Sequence, residues 1–196
     1  MDQLESQFRV LRDQAIVLRQ TFNTFNHLFE SDGETDHVLK ESAAWFFHDL
    51  NRMMVEYLVL LVCRLTDPSE TFGKANLTIP RMTKLLCKKE DLDQGTKANL
   101  KTLDEHIRDY RKRLEPVRNK IVGHTDLDTY VSHSLLGAHP KEKMIEFFEN
   151  LQSYFDVAGV AVGVGPLDFR FSPGPGDVLD LIHTLKRGLG LIPLED

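Results

Sequence analysis

Residues 100–121, LKTLDEHIRDYRKRLEPVRNKI, decide the reading of the fold. Leu100, Leu103, Ile107, Tyr110, Leu114, Val117 and Ile121 recur every three or four residues, which places them on one stripe of a single helix. The next step of that seam is His124. Pro116 lies inside the pattern with no amide hydrogen to give, so the helix must kink there or restart with the proline in its first turn. The seam stays in phase across Pro116, which favours one kinked, nearly collinear helix.

The same period extends in both directions. Leu4, Phe8, Leu11, Ala15, Leu18, Phe22, Phe25 and Phe29 form a stripe on a first long helix that ends near ESDGE. A second runs from about Thr35 to Leu65; its YLVLLV segment is apolar nearly all round, which predicts a central helix contacted on several sides. TDPSETFGKANLT stops it, and IPRMTKLLCKK is a short helix with Pro80 near its start. After the polar DLDTYVSHSLLGAHP, a fourth long helix runs from Lys141 to about Val162. VGVGPLDFRFSPGPGD, residues 162–177, then breaks the pattern before a last helix around Asp177 to Arg187. The expected fold is all-α: an up-and-down bundle of four long helices with short additional helices, and a short strand or irregular segment at LDFRF. Residues 1–165 form the bundle and 166–196 a C-terminal appendage.

The bulk composition sets limits on function. At 196 residues, 41% of them hydrophobic and 28% charged, the chain is an ordinary globular one. A net charge of −6 argues against a surface coated in positive potential for general nucleic-acid binding, so any polyanion site must be local. Cys63 and Cys87 cannot staple a chain of this size, and MDQLESQFRV has no basic-then-apolar leader. Both are read as reduced thiols in a cytoplasmic protein. The longest apolar run, from Val55 to Leu65, contains Glu56 and falls short of the roughly 18 apolar residues of a membrane span.

The local positive charge is in RDYRKRLEPVRNK, where Arg108, Arg111, Lys112, Arg113, Arg118 and Lys120 face only Asp109 and Glu115. Such a run is either a solvated helix face or a phosphate-contacting patch, since guanidinium groups grip phosphate bidentately. Just beyond it, RNKIVGH gathers a permanent cation, an amide and an imidazole around one helix end, with Gly123 relaxing the backbone beside His124. A histidine on an apolar seam is more often a packed core residue than a catalyst, and the Arg-to-His spacing alone arises easily by chance. On a regular helix Arg118 and His124 point about 120° apart, so one copy would not readily focus both on a small substrate. Two copies packed across this face would. Asp126 and Asp128 beside His124 invite a metal reading, but capping and turn formation by HTDLD is the commoner explanation, and no metal or other cofactor is assigned. The glycines at 159, 163 and 165 lack the following GK[ST] of a phosphate loop.

RNKIVGH resembles the R-x4–6-H signature of the HEPN superfamily, in the form where a polar residue follows the arginine. The upstream LVCRLTDP, residues 61–68, and the HTD at 124–126 resemble the branch related to abortive-infection U-type proteins. There a long helix ending in R-L-x-D precedes one ending in R-[DN]-K-x-x-x-H-T-D. The resemblance spans about residues 40 to 130. It implies a helical bundle that forms a homodimer through the motif-bearing helices, and a metal-independent RNase whose cleft is made by both protomers' motifs. His124 would be the catalytic imidazole, Arg118 the phosphate-binding cation and Asn119 the polar helper. Arg111, Arg113, Lys120 and Asp126 are the candidate substrate contacts. Asp126 occupies the place where some HEPN toxins carry a tyrosine modified by a partner nucleotidyltransferase, so that regulation is not expected. The setting implied is phage defence, toxin–antitoxin or stress response. The alternative is a catalytically inactive HEPN module that dimerises and binds RNA, a nucleotide or a protein partner.

Overall fold

The computed structural model describes residues 3–118, 141–170 and 174–192. Six helices occur among them: α1 (Gln3–Phe29), α2 (Gly33–Thr66), α3 (Ile79–Cys87), α4 (Gln94–Val117), α5 (Lys141–Ala161) and α6 (Val178–Gly188). The chain is an all-α helical bundle in which α1, α2, α4 and α5 are the long members, as the periodicity predicts. It divides into two compact units, 1–18 with 59–170 and 19–58 with 171–196.

In the first unit the predicted stripes are the core. Phe8, Leu11 and Ala15 of α1, Leu100 and Ile107 of α4, and Leu151, Phe155 and Ala158 of α5 are fully or almost fully buried. Burying each large apolar side chain contributes roughly 1.5–3 kcal/mol relative to leaving it in water. α4 starts where the Asp93 carboxylate accepts the Thr96 amide at 2.9 Å, and continues through Pro116 to Val117 in one piece. The short α3 is locked to α5 by polar contacts inside the core. The Tyr154 hydroxyl lies 2.9 Å from Thr83 Oγ1 and donates to the Ile79 carbonyl at 3.3 Å. A buried hydroxyl without such partners would cost more than its ring gains.

In the second unit Leu28, Leu39, Phe47 and Ile182 form a small core, flanked by Leu50, Met54, Val178 and Leu185. α6 begins at Asp177, whose carboxylate accepts the Leu179 and Asp180 amides, and its Lys186 ammonium pairs with Glu34 at 2.7 Å.

Three features sharpen the sequence reading. First, TDPSETFGKANLT holds a minimal hairpin, with Glu70–Thr71 antiparallel to Lys74–Ala75. Its turn needs positive φ at both Phe72 and Gly73, and Asn76 closes it by donating to the Pro68 carbonyl and to Thr71 Oγ1. Second, of the two forms expected at LDFRF, residues 167–170 take the irregular one. The Gln152 amide donates to the Leu167 carbonyl and accepts from the Phe169 amide, so this irregular stretch hangs on α5 with Phe169 buried. Third, α2 is not enclosed along its length. It is mostly buried from Val59 to Leu65, but Trp45, Phe46, Met53 and Tyr57 face solvent. The helix is also broken by a non-helical residue, Ala43.

The three glycines that are no phosphate loop terminate α5. The amides of Val164 and Gly165 both return to the Gly159 carbonyl, with Gly163 and Gly165 at positive φ. A side chain at Gly159 would collide with the Gly165 carbonyl. Gly159→Ala is therefore expected to lower stability by about 1–3 kcal/mol in urea unfolding, with little change in the m-value.

Candidate functional site

The site lies in the first unit, at the C-terminal end of α4. Helix α4 is fixed against α5 by its apolar seam and by a stack of Tyr110 on Phe147, with ring centroids 4.5 Å apart. Burial pushes the Tyr110 hydroxyl pKa far above its ordinary value, so it stays neutral. One turn earlier the Asp104 carboxylate is buried, and its pKa is raised by that burial against the opposing pull of Arg108, whose Nε donates to it at 3.0 Å.

Arg118 caps the helix. Its backbone is still helical, with φ −56° and ψ −46°, and its amide donates to the Glu115 and Leu114 carbonyls. Its side chain is exposed. The residue therefore stands at the end of α4, whose preceding stripe is anchored in the core. Asn119, Lys120, His124 and Asp126 lie outside the described residues, as do Asp128 and the remainder of the polar stretch up to 140.

The end of α2 meets α4 here. Arg111 Nη2 donates to Asp67 Oδ1 at 2.9 Å, an ion pair between residues 44 apart in the chain. Both side chains are largely covered. Arg111 Nε is buried and has no hydrogen-bond partner among the described residues. Beside this pair sits the buried Cys63 thiol, whose pKa is raised by burial and by Asp67 and Glu115, while Arg111 and Arg118 pull it down. Burial wins, so Cys63 is a packed thiol rather than a nucleophile. Arg64 is exposed, and it is Asp67 that reaches across to α4.

The basic run thus has two characters. Arg108 pairs with Asp104, Arg111 with Asp67 and Lys112 with Asp109, so these three cations are locally compensated. Arg113 is exposed and lines a cleft of about 160 Å³ between α4 and α5, with His106, Lys143, Glu146 and Asn150 around the Tyr110–Phe147 stack. Of the residues expected at the site, Arg118 and Arg113 face outward and Arg111 is held against Asp67. The Arg111–Asp67 pair was not read from the sequence. Its signal was the R-L-x-D at the end of α2, which names a carboxylate without naming its partner.

The model of the HEPN AbiU2 family matches residues 1–181. The chain belongs to the HEPN AbiU2 family. No curated protein and no solved structure matches it. The family match takes in both motif segments, α1 to α5 and the start of α6. Among the described residues no helix is long and apolar enough to cross a membrane.

Two outcomes follow from the geometry of this HEPN helix. Removing Asp67 strands a mostly buried guanidinium, whereas removing Arg111 leaves a carboxylate closer to water. Asp67→Ala should therefore cost about 1–2 kcal/mol in urea unfolding and Arg111→Met less. For Asp104 the folded carboxyl holds its proton more tightly than the unfolded one. Its contribution is thus fully present below the ordinary carboxylate pKa of about 4 and is lost as pH rises through the raised value. Asp104→Asn should flatten that decline in melting temperature measured from pH 4 to 7.

Proposed function

We propose that this HEPN protein is a metal-independent endoribonuclease that acts as a homodimer, in phage defence or a related toxin–antitoxin or stress response. The observation that carries the reading is Arg118, a permanent cation exposed at the anchored end of α4, where the family's R-x4–6-H motif begins. The guanidinium stabilises charge developing on a phosphate oxygen, and an imidazole from His124 takes the proton of the ribose 2′-hydroxyl. That hydroxyl attacks the adjacent phosphorus, the bond to the 5′ oxygen breaks, and a protonated imidazole returns a proton to the leaving oxygen. The products are a 2′,3′-cyclic phosphate end and a 5′-hydroxyl end. DNA lacks the nucleophile.

Asn119 orients the RNA or the imidazole, and Arg113 and Lys120 hold flanking phosphates in this reading. Arg111 contributes through its hold on Asp67, keeping the end of α2 against the helix that carries Arg118. The membership in an AbiU2 family supports an abortive-infection setting.

Purified protein incubated with mixed RNA and excess chelator should generate cyclic-phosphate ends, while DNA of the same sequence stays intact. His124→Ala and Arg118→Ala should each reduce the rate at least about 100-fold with an unchanged melting temperature. RNA that is bound but never cut, with no effect of His124→Ala, would overturn the nuclease and leave the binding module.

A further inference from the structure

The hairpin that follows α2 springs from the candidate site, within the same compact unit. Its first strand starts three residues after Asp67, whose carboxylate is held by Arg111 of α4. Four residues before Asp67, the Cys63 thiol lies close enough to both Arg111 and Arg118 for their charges to act on it. Phe72 at the hairpin tip therefore hangs from a fixed point beside α4, and five residues of chain reach at most about 18 Å from there.

The tip is built against its own stability. Phe72 has a φ of 50° and is 99% exposed. A bulky residue is strained in that left-handed region, where asparagine sits more easily. Its ring also stays in water, and among the described residues it packs on no other ring. From Val59 to Leu114 it is the one large apolar side chain that is exposed. No contact within the fold offsets either penalty. Yet the turn is braced. The Asn76 amide donates to the Ser69 carbonyl at 3.0 Å, its side chain donates to the Pro68 carbonyl and to Thr71 Oγ1, and Lys84 Nζ donates to Ser69 Oγ at 2.6 Å.

A bare aromatic ring on a braced turn suits a flat ligand that stacks on it. Lys74, paired with Thr71 across the turn, is exposed and makes no ion pair among the described residues. One ring beside one cation matches one nucleotide, with a base for the ring and a phosphate for the ammonium. A protein partner fits less well. A stable interface buries about 800 Å² on each side, whereas one aromatic side chain supplies about 150–250 Å², and the hairpin has no second large apolar residue.

We infer that Phe72 stacks on one unpaired base of the RNA strand bound at the candidate site, with Lys74 on an adjoining phosphate. This rests on the reading of the substrate as RNA and deepens it by adding a contact outside the motif and by making that RNA single-stranded. In a duplex the bases already stack on one another, and the ring has no free face to meet.

His124→Ala protein, which binds without cutting in this reading, is titrated with labelled single-stranded RNA in the presence of chelator. Adding Phe72→Asn should weaken binding about tenfold, whereas Phe72→Trp should keep it and show emission quenched by the RNA beyond that of the parent. Because asparagine suits the positive φ, Phe72→Asn should melt no lower than the parent, so a loss of binding is not a loss of fold. In protein that retains His124 the same substitution should act on KM, by about tenfold, rather than on kcat, because the contact lies away from the reacting atoms. Binding of a duplex of the same sequence should not respond to residue 72. Unchanged affinity and KM in Phe72→Asn overturn the inference and leave the tip to a protein partner, while the nuclease stands. If Phe72→Asn weakens the binding of RNA that no form of the protein cuts, the stacking contact stands and the nuclease falls. Failure of every form to bind RNA removes both.

Discussion

The burial of one stripe of α4 is the constraint on which the candidate site depends. Leu100, Ile107 and Leu114 are removed from water, and Tyr110 is stacked on Phe147 of α5. With the stripe inside, the rotation of α4 about its own axis is fixed, and with it the direction in which every charged residue between 105 and 118 points. The helix cannot turn to offer Arg111 to a ligand without exposing the seam. The Arg111–Asp67 ion pair then ties the end of α2 to that fixed helix. Its net energy is small, because the guanidinium is partly desolvated and its Nε has no partner among the described residues. Its value is geometric. It joins the R-L-x-D at the end of α2 to the helix that ends at Arg118.

Charge works in the same local way. A chain of net charge −6 repels polyanions at a distance, so a phosphate site in it has to be made by cations at short range. The structure distributes the basic run accordingly. Arg108, Arg111 and Lys112 are each matched by a carboxylate within the unit, and the side chains of Arg113 and Arg118 are exposed near the end of α4. Composition alone could not separate these groups, since all of them belong to one run of a few turns. The separation comes from which face of the helix each occupies and which neighbour supplies the acid.

The long helices were legible because apolar periodicity over six or more turns is a strong local signal, and the seam of α4 remained readable across Pro116 for the same reason. The missed hairpin is a two-residue pairing whose turn uses Phe72 at positive φ, where asparagine or glycine would have announced it. LDFRF alternates like a strand, but among the described residues no strand lies beside it, and the Leu167 carbonyl and Phe169 amide are satisfied by the Gln152 side chain. In α2 the YLVLLV segment is buried at Val59, Leu61 and Val62, as its apolar surround implies, whereas Trp45, Phe46 and Met53 precede that segment and face solvent. At the candidate site, Arg118 was legible from the motif, whereas the partnership of Arg111 with Asp67 is a contact across 44 residues that no local pattern encodes.

On a regular helix Arg118 and His124 would diverge by about 120°, so the proposed convergence on one phosphate would call for the equivalent groups of another molecule. On α2, Phe46, Met53 and Tyr57 lie exposed beside Asp49 and Arg52, which make no ion pair among the described residues. Keeping such a face in water costs roughly 25 cal/mol for every Å² of apolar surface, and nothing in the packing of α2 itself requires it.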